Sequence, residues 1–231
     1  GKLACAYWDI TEKGNFESSN IPNRPMSDEE VAEQFSITTE EMQVQLRAAR
    51  EKLLAVRSQR IRSLLDDKVL TSWNALMLKG YVDAYRVLKD PEYLEVAERN
   101  AHFILNKQLR EDGGLNHSYK EGKSTINGYL EDYATTIDAF LALYEVTLNE
   151  KWLNTSKELA DYTFEHFLNE ENKMFYFTSN TDSTLVSRSI DYRDNVIPAS
   201  NSIMAKNLFK LSHYFDDENY RITALTILNN V

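Results

Sequence analysis

Several things are scarce in this 231-residue chain, and each scarcity removes a class of protein. There is one cysteine, Cys5, so neither an intramolecular disulfide nor a cysteine metal cluster can form. A single thiol of this kind is expected to behave as a small apolar residue. Seven glycines and four prolines are too few for an all-β fold built on tight turns. No apolar run approaches the ~20 residues of a membrane span. There is no glycine-rich phosphate loop and no histidine pair at metal-ligand spacing. Positive charge is also in deficit. Lys and Arg number 26 against 36 Asp and Glu, for a net charge of −10, which disfavours nucleic acid and anionic membranes as partners. These readings lead to an expected cytoplasmic protein with no cofactor and no metal.

What is present is a core-forming apolar fraction of 42% and a threefold internal repeat. Each copy opens on a polar cluster. The first is Asp66 to Asn74, the second Tyr129 to Ala134, the third Asp194 to Ser202. An apolar helix follows, then a short acidic or Asn-rich turn. A second helix comes last, with an aromatic near its start: Tyr93, Trp152 or Tyr220. Aligning those aromatics places Trp73, Asp132 and Ser200 at one position, and Asn74, Tyr133 and Asn201 at the next. Repeats of this length are stacked supersecondary units.

The first helix of each copy is apolar nearly all round, so it belongs inside; the second is amphipathic, so it belongs outside. The predicted fold is therefore all-α. It is a partial α/α toroid with hairpins at about 66–110, 129–169 and 194–231. Short β excursions are expected at Gly113 to Tyr119 and at Met174 to Thr178. Three hairpins cannot close a six-hairpin ring, so either part of the ring is expected to be missing or the long N-terminal helix is expected to seal an edge. Exposed inner faces would then favour a homo-oligomer of this piece.

Residues 1–26 read as irregular, with a strand expected at Leu3 to Ile10. Residues 27–231 read as one helical domain. Capping boxes at Ser27/Glu30 and Thr38/Glu41 start a short helix and a long one over about 39–63. In the long helix Met42, Leu46, Ala49, Leu53 and Val56 form a stripe expected to be buried. Its basic residues are expected to face solvent and pair with an acidic body.

All three polar clusters fall at inner-helix starts, which in a toroid share one rim. Helix starts carry free N–H groups and partial positive charge, and so suit a polar, multi-hydroxyl ligand such as a sugar. The candidate catalytic acids are Glu131, Asp132 and Asp67, since glycoside cleavage needs two carboxylates. Trp73, Asn74, Tyr133, Asp194, Ser200 and Asn201 are candidate substrate-binding residues. Each acid could equally be a helix cap. His117 alone among the histidines lies in a connection able to reach the rim.

The segments Glu51 to Arg57, Asp66 to Asn74, Leu130 to Ala134 and Pro198 to Ser202, with Thr11 to Glu17, resemble the spermatogenesis-associated protein 20 family and its bacterial YyaL-like members. That resemblance implies a thioredoxin-like domain in the full-length protein, ahead of an α/α barrel similar to N-acylglucosamine 2-epimerases and six-hairpin glycosidases. This chain would then be the linker and about the first half of the barrel. Epimerases of that fold use rim histidines, and no inner-helix start here carries one, so carboxylate chemistry is expected. The alternative to a carbohydrate-processing enzyme is a non-catalytic helical scaffold serving the thioredoxin-like domain.

Overall fold

The computed structural model describes residues 1–182 and 187–230. It divides into two compact units, Gly1–Leu65 and Asp66–Val231, of which Val231 lies outside the described residues. No helix among those residues is long and apolar enough to cross a membrane.

The first unit holds α1 (Lys2–Tyr7), α2 (Asp28–Gln34) and α3 (Thr39–Ser58). Both expected capping boxes form: Ser27 Oγ accepts from the Glu30 amide and Thr38 Oγ1 from the Glu41 amide, each glutamate returning the bond. Four expectations are corrected here. A helix, not a strand, occupies the segment at Leu3. The long helix ends at Ser58 rather than near residue 63, and it belongs to this unit and not to the toroid. Of its apolar stripe only Met42 and Leu46 are buried; Leu53 and Val56 are 59% and 58% exposed. The unit's small core of Leu3, Tyr7, Val31, Ala32, Met42 and Leu46 does not reach the second half of the helix.

The second unit carries the repeat. Inner helices α4 (Thr71–Leu88), α6 (Leu130–Thr147) and α8 (Ser200–Phe215) alternate with outer helices α5 (Pro91–Phe103), α7 (Glu150–Phe167) and α9 (Glu218–Asn230). Repetition extends to the backbone. Each inner helix ends on a left-handed residue, Lys89, Leu148 or Asp216. The next residue, Asp90, Asn149 or Asp217, turns its side-chain oxygen onto a backbone N–H two residues on. Such a cap stabilises a helix start by about 1 kcal/mol. The aromatics Tyr93, Trp152 and Tyr220 follow three residues later; Trp152 and Tyr220 are buried in the core, and Tyr93 lies against Tyr81.

The alternation of environments is as expected, with one correction. Helix α6 has 13 buried residues from Leu130 to Leu143, because it lies between α4, α7 and α8. Helix α4 is not buried on most sides. It packs on α5 and α6, and its remaining face leaves Trp73 and Met77 69% and 59% exposed. The inner helices run in the same direction, as their cross-links show. Near the starts, Ser72 of α4 bonds Asp132 of α6. Near the far ends Glu145 of α6 takes Arg86 of α4 and, at 2.7 Å, Lys210 of α8.

After Phe103 the helix continues as one π-helical turn (Ile104–Gln108) into a three-stranded antiparallel sheet, in order β1 (Val69–Leu70), β2 (Asn116–Lys120), β3 (Lys123–Asn127). The β2–β3 turn puts Glu121 and Gly122 at φ 49° and 83°, the pairing of signs that matches strand twist. The second expected excursion is reduced to a single bridge, Leu168 to Phe175.

Asn201 braces the third hairpin. Its amide donates to the Phe175 and Asp191 carbonyls and accepts from the Phe175 N–H, all at 2.8–2.9 Å and away from water. Leaving buried backbone groups unpaired costs about 1–3 kcal/mol each. Asn201→Ala is therefore expected to lower unfolding free energy by about 3 kcal/mol or more in urea denaturation.

Candidate functional site

The rim is organised by one buried carboxylate. Asp132, the third residue of α6, is fully buried. Its Oδ1 accepts the Ser72 N–H of α4 at 2.9 Å. Its Oδ2 accepts the Tyr129 N–H at the start of α6, at 2.9 Å. The same oxygen meets Nδ1 of His117 on β2 at 2.9 Å. Two helix starts and a strand are thus tied to one side chain. Nδ1 donates to the carboxylate, which fixes the ring orientation and leaves Nε2 as the free nitrogen. This bond holds the His117 pKa above its ordinary value; partial burial opposes it, and the charges of Asp132 and Glu131 add to it.

Glu131 lies beside this pair. Burial is the main cause of its raised pKa, and the charges of Asp132 and Asp191 push the same way. Nothing among the described residues hydrogen-bonds its carboxylate. His117 packs edge-on against Tyr129 at 4.9 Å, and Tyr129 stacks on Phe177 at 5.0 Å. His117 also lines a cavity of about 670 Å³, together with Asp66, Lys68, Trp73, Asn74 and Ser118.

His117, Glu131 and Asp132 each present a donor atom within 4.8 Å of the others, a separation that metal ligands can have. Two of the three are already bonded to each other, and the positive end of α6 disfavours a cation there. A hydrogen-bonded Asp–His dyad beside a free acid describes the arrangement better than a metal cage.

The candidate residues separate clearly. Trp73 and Asn74 line the cavity with His117, and Glu131 and Asp132 each hold an oxygen within 4.8 Å of a His117 ring nitrogen. Asp67 does not join them: it pairs with Lys120 of β2 at 2.7 Å, and that bond lowers its pKa. Tyr133 is no ligand contact. It is fully buried, its hydroxyl accepts the Leu115 N–H at 2.8 Å, and its ring stacks on Tyr162 at 5.4 Å. Asn201 is the buried brace described above. Ser200 is buried, with its N–H and hydroxyl both on Asp191 at 2.9 Å. Asp194 caps α8 through the Ala199 N–H at 2.8 Å, which lowers its pKa. His117 was not among the candidates, although its place in a rim-facing connection was the signal that could have found it. Asp191, whose charge reaches Glu131, was another.

Comparisons with known proteins agree with this fold. No protein-family model matches the chain. Its fold is that of the α/α toroids. It superposes with TM-score 0.58 and 19% identity on a cellobiose 2-epimerase from Bacillus thermoamylovorans, over 70% of this chain and 44% of that one. A GH76 α-mannanase from Bacteroides thetaiotaomicron gives 0.56 at 18% identity over 74% and 45%. An unsaturated glucuronyl hydrolase from Bacillus sp. GL1 gives 0.56 at 18% over 74% and 49%. At these identities the likeness is one of fold.

In sequence the chain is a homologue of proteins named spermatogenesis-associated protein 20. The human protein is 26% identical over 249 residues, 99% of this chain and 32% of its own length. An uncharacterised protein of Caenorhabditis elegans is 30% identical over 240 residues, 96% and 32%. The chain spans about a third of the length of these relatives.

Asp132→Asn keeps the volume but turns an acceptor-only group into one that must donate at a site built for acceptance. It is expected to cost about 2–4 kcal/mol of stability. NMR titration should show the His117 pKa above 6.5 in the parent chain and lowered in the variant. Because the folded pKa is raised, this histidine stabilises the fold below its unfolded pKa, and that contribution is lost as pH rises through the folded value. The parent chain should therefore gain more stability than Asp132→Asn as pH falls into that window.

Proposed function

We propose that the toroid processes a small reducing sugar by proton transfer, with His117 and Glu131 as the exchanging groups and Asp132 as the residue that holds His117 in place. One observation carries this reading: among the described residues Glu131 is the rim acid whose carboxylate takes no hydrogen bond or ion pair, while Asp66 is held by Lys68 at 3.3 Å. Asp132 accepts three hydrogen bonds, Asp191 takes two from Ser200, Asp194 caps α8, and Asp67 is paired with Lys120. Glycoside cleavage needs a second free carboxylate across the bond. The residues present offer one free acid and one oriented imidazole, which is the complement for general acid–base chemistry.

In this proposal the Glu131 carboxylate removes a proton from the carbon next to the sugar's carbonyl. The His117 imidazolium, held above its ordinary pKa by Asp132, gives its Nε2 proton to the carbonyl oxygen, forming an enediol. Return of a proton to either carbon or face gives the isomer or epimer, with no external oxidant or reductant. The exposed Trp73 offers a flat apolar surface for a sugar ring, as carbohydrate sites require. The epimerase and hydrolase folds above make a sugar the natural substrate class.

The test is incubation of the chain with a panel of reducing sugars in heavy water, following deuterium at the carbon beside the carbonyl by NMR. Incorporation is expected, falling as pH rises through the His117 pKa and the imidazolium loses its proton. His117→Asn and Glu131→Gln should each reduce it by about 10²-fold or more. Glu131→Gln should also melt higher than the parent at neutral pH. A raised carboxylate pKa means the ionised form destabilises the fold above pH ~4.5, and the substitution removes that charge. Sugar binding without exchange, or full activity in Glu131→Gln, would refute the reading.

A further inference from the structure

The second half of α3 has no partner within its own unit. Beyond Leu46 no residue of this helix is buried, and only Ala49 is half-covered. Leu53, Leu54 and Val56 are 59%, 55% and 58% exposed. About three turns of helix are marginal in water without a packed face, so this stretch is built to be covered. Its charge is as unusual as its apolarity. From residue 47 to residue 62 the chain has six cations, Arg47, Arg50, Lys52, Arg57, Arg60 and Arg62, against one acid, Glu51, in a protein of net charge −10. None of these cations forms a salt bridge within its own unit, where Arg24 with Asp28 is the ion pair among the described residues.

The surface beside these residues is shaped as well as charged. Two hollows flank Trp8 and Leu53. One, of about 280 Å³, is lined by Trp8, Pro22, Arg50, Leu53, Leu54 and Arg57. The other, of about 540 Å³, runs past Ala4, Ile10, Ala49 and Lys52. The Arg50 guanidinium lies 5.9 Å from the Trp8 ring centroid. A tryptophan and leucines in hollows, rimmed by arginines, have the composition of an energetic centre in protein interfaces.

We infer that the Trp8–Leu53 groove of α3 docks an acidic, apolar-faced helical segment of a partner protein. Its leucine-like side chains would enter the two hollows while its carboxylates meet Arg50, Lys52 and Arg57. Charge complementarity selects an acidic partner. The leucines set among the arginines select a protein over a nucleic acid, whose phosphates would leave them wet, and the acidic chain as a whole repels a polyanion.

The probe is a labelled peptide of about four helical turns, with leucines on one face and glutamates on the other. Its counterpart has lysine for every glutamate, and a duplex DNA oligonucleotide serves as the polyanion control. The whole chain is titrated by fluorescence anisotropy. The glutamate peptide is expected to bind, weakening by about tenfold or more between ~0.05 and ~0.5 M salt, while the lysine peptide and the DNA bind at least tenfold more weakly. Leu53→Asp should abolish binding. Arg50→Glu combined with Arg57→Glu should reverse the preference toward the lysine peptide. Both substitutions lie on an exposed face, and circular dichroism checks that the helix content is kept. Equal binding of the two peptides, failure of the glutamate peptide to bind, tighter binding of DNA, or indifference to these substitutions in a folded chain would each overturn the inference.

Discussion

The buried carboxylate of Asp132 is the constraint on which the rim depends. A fully desolvated charge is tolerable only when its lone pairs are used. Here they accept from two helix-start amides and one imidazole. Those donors come from residues 72, 129 and 117, so one side chain sets the register between two hairpins and the sheet that links them. The amides belong to helix N-termini, where an anion is already favoured. The same carboxylate therefore fixes where the sheet's histidine sits and which of its nitrogens is free. Fold and site are determined at the same atoms.

Around that point the hairpins are close copies because the same local devices recur. A left-handed C-terminal residue, an Asx cap and an aromatic three residues further on set the angle at which each outer helix returns. The third copy departs in one respect. Measured from its turn, Ser200 aligns with Trp73 and Asp132, yet it is the first residue of α8 rather than the third. The shortened start lets Asp191, from the preceding segment, take the place at the rim that Asp132 fills in the second copy. Its carboxylate caps Ser200 instead of holding a histidine. The repeats share a frame, and they differ where chemistry could differ.

The frame was legible in the sequence because it rests on periodicity. Apolar residues that return every three or four positions report burial directly, and α6 and α7 follow the pattern closely. The limits were also physical. Neighbours on a helix point about 100° apart, so Asp132 and Tyr133 could not both line one site. Tyr133 faces the core, and Asn201 turns onto Phe175. A polar cluster in sequence is thus split by the helix into a rim residue and a brace. His117 went unselected because it reaches the rim from a strand, through a contact 15 residues long in sequence that no helical pattern encodes. The stripe of α3 was legible as amphipathic, but a pattern says which face is to be covered and not whether the cover lies within the same unit.

The rim acids also show how a stabilising group is told apart from a functional one. Capping and catalysis use the same residue types at the same helix positions, so identity alone cannot separate them. Satisfaction of the carboxylate can. Asp67, Asp132, Asp191 and Asp194 each receive bonds, and those bonds account for their presence. Glu131 receives none among the described residues, is partly desolvated, and lies in the field of two neighbouring acids that disfavour its ionised form, with the charge of His117 opposing them. An acid left without a bonding partner in this way is what the proposed role toward a ligand requires. The same criterion distinguishes the two ring nitrogens of His117. Nδ1 is accounted for by Asp132, and Nε2, on a histidine that lines the cavity, is not.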